Sequence, residues 1–504
     1  MTARISLDPM PTPDDPTPDS AGPVSARAGE PLLLVDLDGT LIRSKLLWEG
    51  FAAALRFNPW RCLLALLAIL RGRAALKRAL AEIGPIDPVA LPYRRKFVSW
   101  LRREHASGRR IVLATAAHET VARQVAAHLQ IFDQVLASDG FRNNKGEAKL
   151  TAVRRSFPGL EFDYCGDSRT DMPMFRAARK AYPVGAGAST STTGIDVDLR
   201  FAKPETGPRL GYWIRAIRPR HWLKNLLVLM PFFSAFVVTD THLLLNAVVA
   251  AVAMCLAASS GYVINDLLDM QADRHHPRKF RRPFALGRLT AAEGFAGALL
   301  LQLGALLLAV SVGWSVLVWI LIYLMGTFSY SVFFKREPII DVMLLAGLYT
   351  TRIIIGANAV GADRSLWLLA FSVFFFFSLA TMKRCGELVG RQNRGEKTTA
   401  GRSYKPEDLQ MLCPAGVSAG VASVLVLALY VQSPGVEARY PIPEALWLAL
   451  VALLVWLCRA WLDTMRGQMH DDPLIYALRH RRGRMVLLLV IASFGLASLW
   501  GLGA

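Results

Sequence analysis

Nine apolar segments fill the last three fifths of this 504-residue chain, each close to the ~20 residues that a helix needs to cross a bilayer. Several contain glycine or other small residues, which let membrane helices pack closely. The segments predict an all-α polytopic membrane domain with nine transmembrane helices, at 222–239, 243–263, 292–311, 313–333, 339–361, 365–381, 409–430, 442–462 and 485–503.

The charge distribution predicts how this domain is oriented. The chain has a formal net charge of +19, which basic cytoplasmic loops of a membrane protein explain better than nucleic-acid binding does. We expect no signal peptide in the N-terminal part and therefore expect that part in the cytoplasm, which would place the loops after the second, fourth, sixth and eighth helices inside. Those loops carry the basic clusters, in agreement with the positive-inside rule. We therefore expect a multi-pass protein of the inner (cytoplasmic) membrane, with no nucleic-acid partner and with its active sites on the cytoplasmic side.

Directly after the second apolar segment, three aspartates recur at helical spacing. Asp266, Asp269 and Asp273 would lie on one helical face, with Asn265 beside the first. Such a group is costly at a membrane boundary unless a cation neutralises it, and Mg²⁺ bound by carboxylates normally shares its ligands with substrate phosphates. Six basic residues follow between positions 274 and 288. A solvated charged loop is the alternative, but the stacked spacing favours a site for Mg²⁺ and a diphosphate.

The first 200 residues have the composition of a soluble protein. Residues 1–29 are rich in Pro, Asp, Ser and Thr and predict a disordered tail. Residues 30–203 are expected to form one domain and residues 204–504 the membrane domain. Asp36, Thr115 and Asp167 each follow a short apolar run, as expected of buried parallel strands. Ligand sites in open α/β sheets lie at such strand ends, so the pattern predicts an α/β Rossmann-like domain.

Four motifs occur in order in this domain: PLLLVDLDGTLI, IVLATAA, NNKGEAK and FDYCGDSRTDMPMF. The ordered set resembles the haloacid dehalogenase superfamily of phosphatases, nearest its phosphoserine phosphatase-like branch, over roughly residues 31–200. The resemblance implies that Asp36 is the nucleophile that accepts the phosphoryl group as an aspartyl phosphate. It implies that Asp38 is the general acid for the leaving oxygen and then the base for the hydrolytic water.

The same resemblance assigns the cations of the phosphatase site. Thr115 and Lys145 would hold phosphoryl oxygens, with Lys149 as a substitute for Lys145. A carboxylate attacks an anionic phosphorus only when cations neutralise both groups. The resemblance implies these Mg²⁺ ligands: Asp36, Asp38 (through its backbone carbonyl), Asp167 and the supporting Asp171. A degenerate domain without activity is the alternative, and the retention of every carboxylate, the Thr and the Lys favours the enzyme.

A helical insertion, about residues 44–103, lies between the first two motifs, where members of this superfamily carry a substrate-selecting cap. Its stretch PWRCLLALLAILRGR is unusually apolar for a soluble cap. The apolar run of about 11 residues is too short to cross a bilayer. It is either a core helix of the cap or an interfacial helix that brings the phosphatase to a lipid-borne substrate.

The pattern NDxxDxxxD, from Asn265 to Asp273, follows the second of nine apolar segments. It resembles the UbiA superfamily of intramembrane prenyltransferases, and the likeness covers roughly residues 210–504. The resemblance implies that Asn265, Asp266, Asp269 and Asp273 bind Mg²⁺ and a diphosphate. A second DxxxD-type motif normally completes such a site, but here only Asp341 remains. This departure argues against the usual isoprenyl-diphosphate donor.

Further segments favour one branch of that family. RPRHWLKNLLVL, SYSVFFKREPIID and TMKRCGEL resemble the decaprenyl-phosphate phosphoribosyltransferases, in which a polyprenyl phosphate attacks the anomeric carbon of phosphoribosyl diphosphate. For any single basic residue, the alternative to substrate binding is the general excess of basic residues in cytoplasmic loops. The resemblance implies the following substrate-binding residues: Lys224, Arg282, Lys335, Asp341, Lys383, Arg384 and Tyr404.

The pairing of the two domains predicts a bifunctional membrane enzyme with Mg²⁺ at both sites. Phosphoribosyl transfer to a polyprenyl phosphate would leave a lipid with a 5-phosphate monoester, which the phosphatase would remove to give polyprenyl phosphoryl ribose. One alternative is an aromatic prenyltransferase that uses an isoprenyl diphosphate, fused to a phosphatase with a separate substrate. Another, non-catalytic alternative is a regulatory phosphate sensor tethered to a transporter-like bundle. Abundant acidic residues within the membrane would favour transport, but the acidic residues here cluster at the membrane boundary.

Overall fold

A computed structural model describes residues 31–139, 143–185, 196–198, 201, 209–234, 240–362, 365–393, 403–437, 440–469 and 472–499. The predicted tail at 1–29 and the predicted linker at 204–208 lie outside these ranges. The chain divides into two compact units, the first formed by Met1–Arg43 and Tyr93–Glu205, the second by Ser44–Pro92 and Thr206–Ala504. The division differs from the predicted domain boundaries because residues 44–92 group with the membrane helices.

The first unit is built around a six-stranded parallel sheet with the strand order β3-β2-β1-β4-β5-β6. The strands are β1 Leu32–Val35, β2 Ile111–His118, β3 Gln134–Ser138, β4 Phe162–Gly166, β5 Lys180–Pro183 and β6 Asp196–Val197. β1 pairs with both β2 and β4, so that Val35 lies opposite Leu113 and Cys165. All four residues of β1 are buried, as expected for a parallel strand that is covered on both faces. The predicted parallel α/β fold is confirmed.

Four described helices belong to this unit: Arg95–Ala106, Glu119–Leu129, Glu147–Ser156 and Met172–Ala177. The helix Glu147–Ser156 turns Lys149, Leu150 and Val153 inward, at the spacing of one helical face. Leu150 and Val153 pack in one hydrophobic cluster with Tyr164 and Phe175. This packing fixes the direction in which the remaining buried residue of that face, Lys149, points.

Residues 44–92 are the inserted segment, with the helices Leu46–Phe57, Pro59–Leu66 and Arg73–Ile83 and the 3-10 helix Leu67–Arg71. Asn58 caps the second helix by accepting a hydrogen bond from the backbone N of Arg61 at 3.0 Å, and Pro59 takes a position where its missing N–H is not needed. Cys62 and Ala65 pack in one cluster with Leu268 and Val332 of the membrane helices. We call residues 44–92 the cap segment.

Seven helices among the described residues are long and apolar enough to cross a membrane. They are Thr241–Leu268, Ala291–Val312, Trp314–Val332, Ile340–Ala359, Leu366–Gln392, Pro406–Val431 and Pro443–Met465. The other helices of this unit are Arg209–Ile217, the 3-10 helix Pro219–Leu229, Met230–Ser234, Met270–His275, the 3-10 helix Lys279–Arg281, the 3-10 helix Phe334–Arg336, Pro434–Glu437, Pro473–Arg479 and Arg481–Leu499.

The prediction of nine crossings is not confirmed. The predicted crossing at 222–239 begins instead as the 3-10 helix and continues as a five-residue helix, and residues 235–239 lie outside the described ranges. Lys224 and Asn225 are buried there, where they contact the side chains of Tyr349 and Arg352. Because these polar side chains need protein partners, the segment packs against its neighbours. The helix at the predicted last crossing begins with charged Arg481 and is not among the seven.

Candidate functional site

The first group of predicted site residues lies at the carboxyl edge of the parallel sheet. Asp36 directly follows β1, Thr115 lies within β2, and Asp167 directly follows β4. Because β1 lies between β2 and β4, the three residues share one edge. Asp36 and Thr115 are buried, and Asp38 is half-buried. The structure thus places these residues at a single candidate site.

Three carboxylates form a compact group at this edge. Asp36, Asp167 and Asp171 each offer an oxygen, and these oxygens lie within 4.8 Å of one another. Mg²⁺ binds oxygens at about 2.0–2.1 Å in octahedral geometry, so opposite ligands lie about 4.2 Å apart. The group therefore fits a Mg²⁺ ion. Burial, together with the charges of Asp171 and Asp167, raises the pKa of Asp36 to about 8 although Lys149 opposes the shift.

Gly39 allows this close approach of carboxylates. Its φ is +82°, a conformation that L side chains rarely adopt. A Cβ atom at this position would lie 2.0 Å from Oδ2 of Asp167. The carbonyl of Gly39 accepts hydrogen bonds from the guanidinium of Arg94, at 3.0 Å from Nη2. The glycine of the DLDGT motif is thus required by both the backbone and the space beside Asp167.

The structure corrects the choice of lysine. Lys149 Nζ is buried and lies 2.9 Å from Oδ1 of Asp36 and 3.0 Å from Oδ1 of Asp171. Lys145 was predicted for this position, but it precedes the helix Glu147–Ser156 and its side chain is exposed. The inward face of that helix begins one turn later, so Lys149 reaches the carboxylates. Burial acts to lower the pKa of Lys149, but the charges of Asp36 and Asp171 outweigh it and hold the pKa above its usual value.

Asn144, which the sequence analysis did not single out, supports Thr115. Its Nδ2 donates to the carbonyls of Thr115 and Leu136, at 3.3 and 3.2 Å. Its backbone N donates to Oγ of Ser138 at 2.9 Å. The hydroxyl of Thr115 accepts from the backbone N of Ala117 at 3.0 Å. The second asparagine of NNKGEAK was visible in the sequence, but nothing local indicated that it would bridge two strands.

The second group of predicted residues belongs to the second compact unit, which contains the seven candidate membrane spans and which we call the membrane unit. Asn265 and Asp266 lie near the end of the helix Thr241–Leu268, whereas Asp273 lies on the next helix, Met270–His275. Asp269 stands between the helices with φ −91° and ψ 3°. The backbone N of Asp273 still donates to the carbonyl of Asp269 at 2.8 Å. The predicted acidic face is therefore present, although a helix break at Asp269 divides it.

Two arginines pair with the outer carboxylates of this face. Arg218 Nη2 lies 2.5 Å from Oδ1 of Asp266. Arg282 Nη1 bridges Oδ1 of Asp266 at 3.0 Å and Oδ2 of Asp273 at 2.6 Å. Asp266 and Asp273 are buried, so they need such partners. Burial and the charge of Asp266 raise the pKa of Asp273 to about 6, against the opposing charge of Arg282.

Asp269 pairs with two further cations, one of them from the cap segment. Lys335 Nζ contacts Oδ1 of Asp269, and Arg56 Nη1 lies 2.7 Å from the same oxygen. Arg56 Nη1 also donates to the carbonyl of Leu268 at 3.0 Å. Burial acts to raise the pKa of Asp269, but the charges of Lys335 and Arg56 hold it below its usual value.

The acidic face differs from the carboxylate group around Asp36 in its surroundings. Among the described residues, the compact three-carboxylate group is the one around Asp36. Here the carboxylates of Asp266, Asp269 and Asp273 hold arginine and lysine side chains instead. As placed, the three carboxylates are engaged in ion pairs with arginine and lysine side chains, so we derive no step through a metal at this face. The metal binding predicted for Asn265 and the three aspartates stays a prediction.

Further contacts join the cap segment to the helix Met270–His275, which carries Asp273. Arg274 Nη1 and Nη2 lie 2.8 and 2.7 Å from the two carboxylate oxygens of Glu49, and both side chains are buried. The side-chain oxygen of Gln271 accepts from the backbone N of Asp87 at 3.2 Å. The Glu49–Arg274 pair is bidentate, the arrangement that fixes orientation most firmly. It holds the helix that carries Arg56 against the end of the membrane helix.

The acidic face borders a cavity of about 360 Å³ within the membrane unit. Five of the predicted substrate-binding residues line it: Lys224, Arg282, Lys335, Lys383 and Arg384. Lys224 Nζ lies 2.7 Å from the hydroxyl of Tyr349 and also contacts Asp472. Lys383 Nζ lies 3.5 Å from Oδ2 of Asp472. The cavity is within the usual range of ligand sites, about 300–1,000 Å³.

Asp341 and Tyr404, which were predicted to bind substrate, stand behind the cavity wall. Oδ2 of Asp341 accepts from Arg384 Nε at 2.6 Å, and Oδ1 contacts the hydroxyl of Tyr404. That hydroxyl also accepts from the backbone N of Ile339 at 2.8 Å. Neither residue lines the cavity. Their predicted substrate binding stays a prediction: in the structure Asp341 contacts Arg384, which does line the cavity, and Tyr404 contacts Asp341.

Several residues of this site escaped the sequence analysis. Arg56 is separated from Asp269 by 213 positions, so no local pattern could connect them. Asp472 follows the last of the seven candidate spans and had no motif around it. Arg352 had a usable signal, because a charged residue in the middle of an apolar helix is rare and functional by default. It is buried, with Nε 3.0 Å from Oδ1 of Asn225.

Comparison with protein families gives two matches. Residues 227–480 match the UbiA prenyltransferase family, and residues 33–176 match the haloacid dehalogenase-like hydrolases. The resemblances stated for the two halves of the sequence are thus confirmed. The second match contains the Asp36 group, and the first contains the acidic face.

Three relatives show how these parts combine elsewhere. An uncharacterized protein (y4nM) of Sinorhizobium fredii is 34% identical over 92% of this chain and 90% of its own length. Nodulation protein NoeC of Azorhizobium caulinodans is 36% identical over 53% of this chain and 86% of its own length. A decaprenyl-phosphate phosphoribosyltransferase of Corynebacterium glutamicum is 32% identical over 42% of this chain and 65% of its own length. The chain belongs to the UbiA prenyltransferase family and carries an additional haloacid dehalogenase-like phosphatase domain at its N-terminal side.

Proposed function

We propose that the membrane unit transfers 5-phosphoribose from phosphoribosyl diphosphate to a polyprenyl phosphate. In this reaction a phosphate oxygen of the lipid bonds to the anomeric carbon of ribose, and the bond from that carbon to the diphosphate breaks. The diphosphate leaves with the bonding electron pair. The phosphatase domain then hydrolyses the 5-phosphate of the lipid product, releasing phosphate and polyprenyl phosphoryl ribose.

The observation that carries the transferase proposal is the charge of the 360 Å³ cavity. Ten arginines and lysines line it, against four aspartates and glutamates. Asp266 and Asp341 pair with lining arginines from outside the lining, and counting them still leaves four more cations than carboxylates. Unbalanced cations in a partly buried cavity are unfavourable without an anionic ligand. Phosphoribosyl diphosphate carries three phosphates and the lipid acceptor a fourth, so the two substrates together supply the missing negative charge.

The acidic face supports the proposal by positioning cations. Asp269 orients Lys335 and Arg56, while Asp273 orients Arg282. Charged donors that are fixed before the reaction stabilise a leaving diphosphate without reorganisation. Lys335, Arg56 and Arg282 are therefore the groups that we assign to the leaving diphosphate.

Two further lysines of the cavity lining, Lys224 and Lys383, share Asp472 as a partner. We assign this lysine pair to the second anionic group, either the 5-phosphate or the acceptor phosphate. The relative from Corynebacterium glutamicum, whose name states phosphoribosyl transfer to decaprenyl phosphate, supports this choice of substrates. An isoprenyl diphosphate alone would leave more of the ten cations without a counter-charge.

For the phosphatase we assign Asp36 as the nucleophile and Asp38 as the acid and base that serves the leaving and attacking oxygens. Lys149 holds Asp36 in place and supplies positive charge where the phosphoryl group arrives. Thr115, kept in position by Asn144, is assigned to a phosphoryl oxygen. Mg²⁺ held by Asp36, Asp38 and Asp167, with Asp171 in support, would neutralise the charge of the incoming phosphate.

The test of the transferase is a choice between donors. Purified full-length protein in vesicles with polyprenyl phosphate is given either phosphoribosyl diphosphate or an isoprenyl diphosphate with 4-hydroxybenzoate. We expect a lipid-linked pentose from the first donor and no prenylated aromatic product from the second. Lys335→Met should abolish the pentose product, whereas Arg336→Met should not, because Arg336 is exposed and does not line the cavity. A prenylated aromatic product without any lipid-linked pentose would refute the proposal.

A further inference from the structure

An apolar face covers one side of the cap segment between residues 59 and 71. Trp60 is 70% exposed, Leu64 67%, Leu67 63% and Leu70 84%. Leu63, Leu66 and Ile69 are exposed beside them. Large contiguous apolar patches on a protein surface mark interaction sites. We call these seven residues the apolar face.

The opposite side of the same helix fixes where this face lies. Cys62 and Ala65 are buried in a cluster with Leu268 and Val332. Leu268 is the last residue of one candidate membrane span, and Val332 is the last residue of another. The cap segment therefore rests against the ends of two membrane helices. A position at the end of a membrane helix is the level where hydrocarbon meets headgroups and water.

Length and charge decide how this stretch meets the membrane. An eight-residue helix followed by five 3-10 residues extends about 22 Å, which is less than the ~30 Å of bilayer hydrocarbon. Arg61, Arg71 and Arg73 are exposed in and beside the stretch. Basic side chains beside an exposed apolar face are typical of helices that lie in the plane of the interface and meet anionic headgroups.

We propose that residues 59–71 are a monotopic membrane anchor in the cap segment. Trp60, Leu64, Leu67 and Leu70 enter the boundary between headgroups and acyl chains, while Arg61 and Arg71 contact lipid phosphates. The anchor holds the helix that carries Arg56 at the membrane surface. This membrane contact follows from the packing and exposure of the cap segment, whichever group the transferase moves.

The experiment places a fluorescent probe on the apolar face of the full-length protein. The background replaces Cys255, Cys413 and Cys458 by Ser, because the remaining cysteines are buried. An environment-sensitive label is attached to Leu67→Cys or Leu70→Cys. The matched control is Glu82→Cys, which is exposed on the neighbouring helix Arg73–Ile83.

The labelled proteins are reconstituted in nanodiscs of phosphatidylcholine and phosphatidylglycerol, with nitroxide groups placed at different depths of the acyl chain. Labels at positions 67 and 70 should emit at shorter wavelength than the label at 82. Nitroxides about 5–10 Å below the headgroups should quench them most strongly, and aqueous iodide should quench only the control.

Two results would overturn the anchor. One is that iodide quenches the labels at 67 and 70 as strongly as the control, with no effect of the lipid nitroxides. The other is short-wavelength emission that neither quencher affects, together with cross-linking of two chains through position 67, since a second copy would then cover the face. Agreement between the two labelled positions guards against a local effect of either substitution.

Discussion

The replacement of Lys149 is the sharpest test of the phosphatase site. Lys149→Met keeps the length of the side chain but removes the charge that contacts Asp36 at 2.9 Å and Asp171 at 3.0 Å. Hydrogen bonds to charged groups contribute about 1.5–3 kcal/mol each. The two contacts together correspond to about 3–6 kcal/mol, and each 1.36 kcal/mol is a tenfold change in rate. We therefore expect phosphatase activity to fall by about 10²- to 10⁴-fold.

Lys145→Ala is the matched control, because Lys145 is exposed and precedes the helix that carries Lys149. The assay is the initial rate of phosphate release from a phosphomonoester by full-length protein, with lipid-linked pentose formation measured in the same preparation. Transferase activity should be unchanged in both variants, which reports that the chain has folded. Loss of phosphate release in Lys145→Ala with retention in Lys149→Met would refute the assignment of the lysine.

Three further substitutions test other parts of the account. Arg56→Ala should slow pentose transfer by about tenfold or more, because one charge-assisted contact worth about 1.5–3 kcal/mol is lost. Arg78→Ala, at an exposed residue of the cap segment, should leave the rate unchanged. Equal initial rates for the two variants would show that Arg56 does not act at the site. Gly39→Ala should abolish phosphate release while pentose transfer persists, because the added Cβ would lie 2.0 Å from Oδ2 of Asp167. Near-normal phosphate release would contradict this close approach of Asp167 to Gly39. Glu49→Gln should lower the thermal stability of the purified protein, since breaking a buried ion pair costs about 3–5 kcal/mol; an unchanged melting temperature would mean that the contact with Arg274 is weak.

The phosphatase half could be predicted closely because its signals are local. A continuous apolar run indicates a strand that is buried on both faces, and the carboxylate at its end then lies at the edge where sites form. The choice between Lys145 and Lys149 could not be settled in this way. It depends on where the helix Glu147–Ser156 begins, and helix starts are among the least certain features of a sequence.

The membrane half shows a different limit. Apolar length identified seven candidate spans, but it also predicted a crossing at 222–239, where Lys224 and Asn225 are buried against Tyr349 and Arg352. Hydropathy cannot detect such partners, because they come from distant parts of the chain. The contact of Arg56 with Asp269 also joins distant parts of the chain. The same is true of the packing of the cap segment against the membrane helices, so hydropathy could predict neither.

In the proposed function, two reactions on one chain act in sequence on one lipid. The sequence can be tested by mass spectrometry of the lipids that wild type and Asp36→Asn form from phosphoribosyl diphosphate and polyprenyl phosphate. We predict that wild type yields polyprenyl phosphoryl ribose, whereas Asp36→Asn accumulates the same lipid with its 5-phosphate retained. Identical dephosphorylated lipids from both proteins, or no lipid-linked pentose from either, would contradict the account.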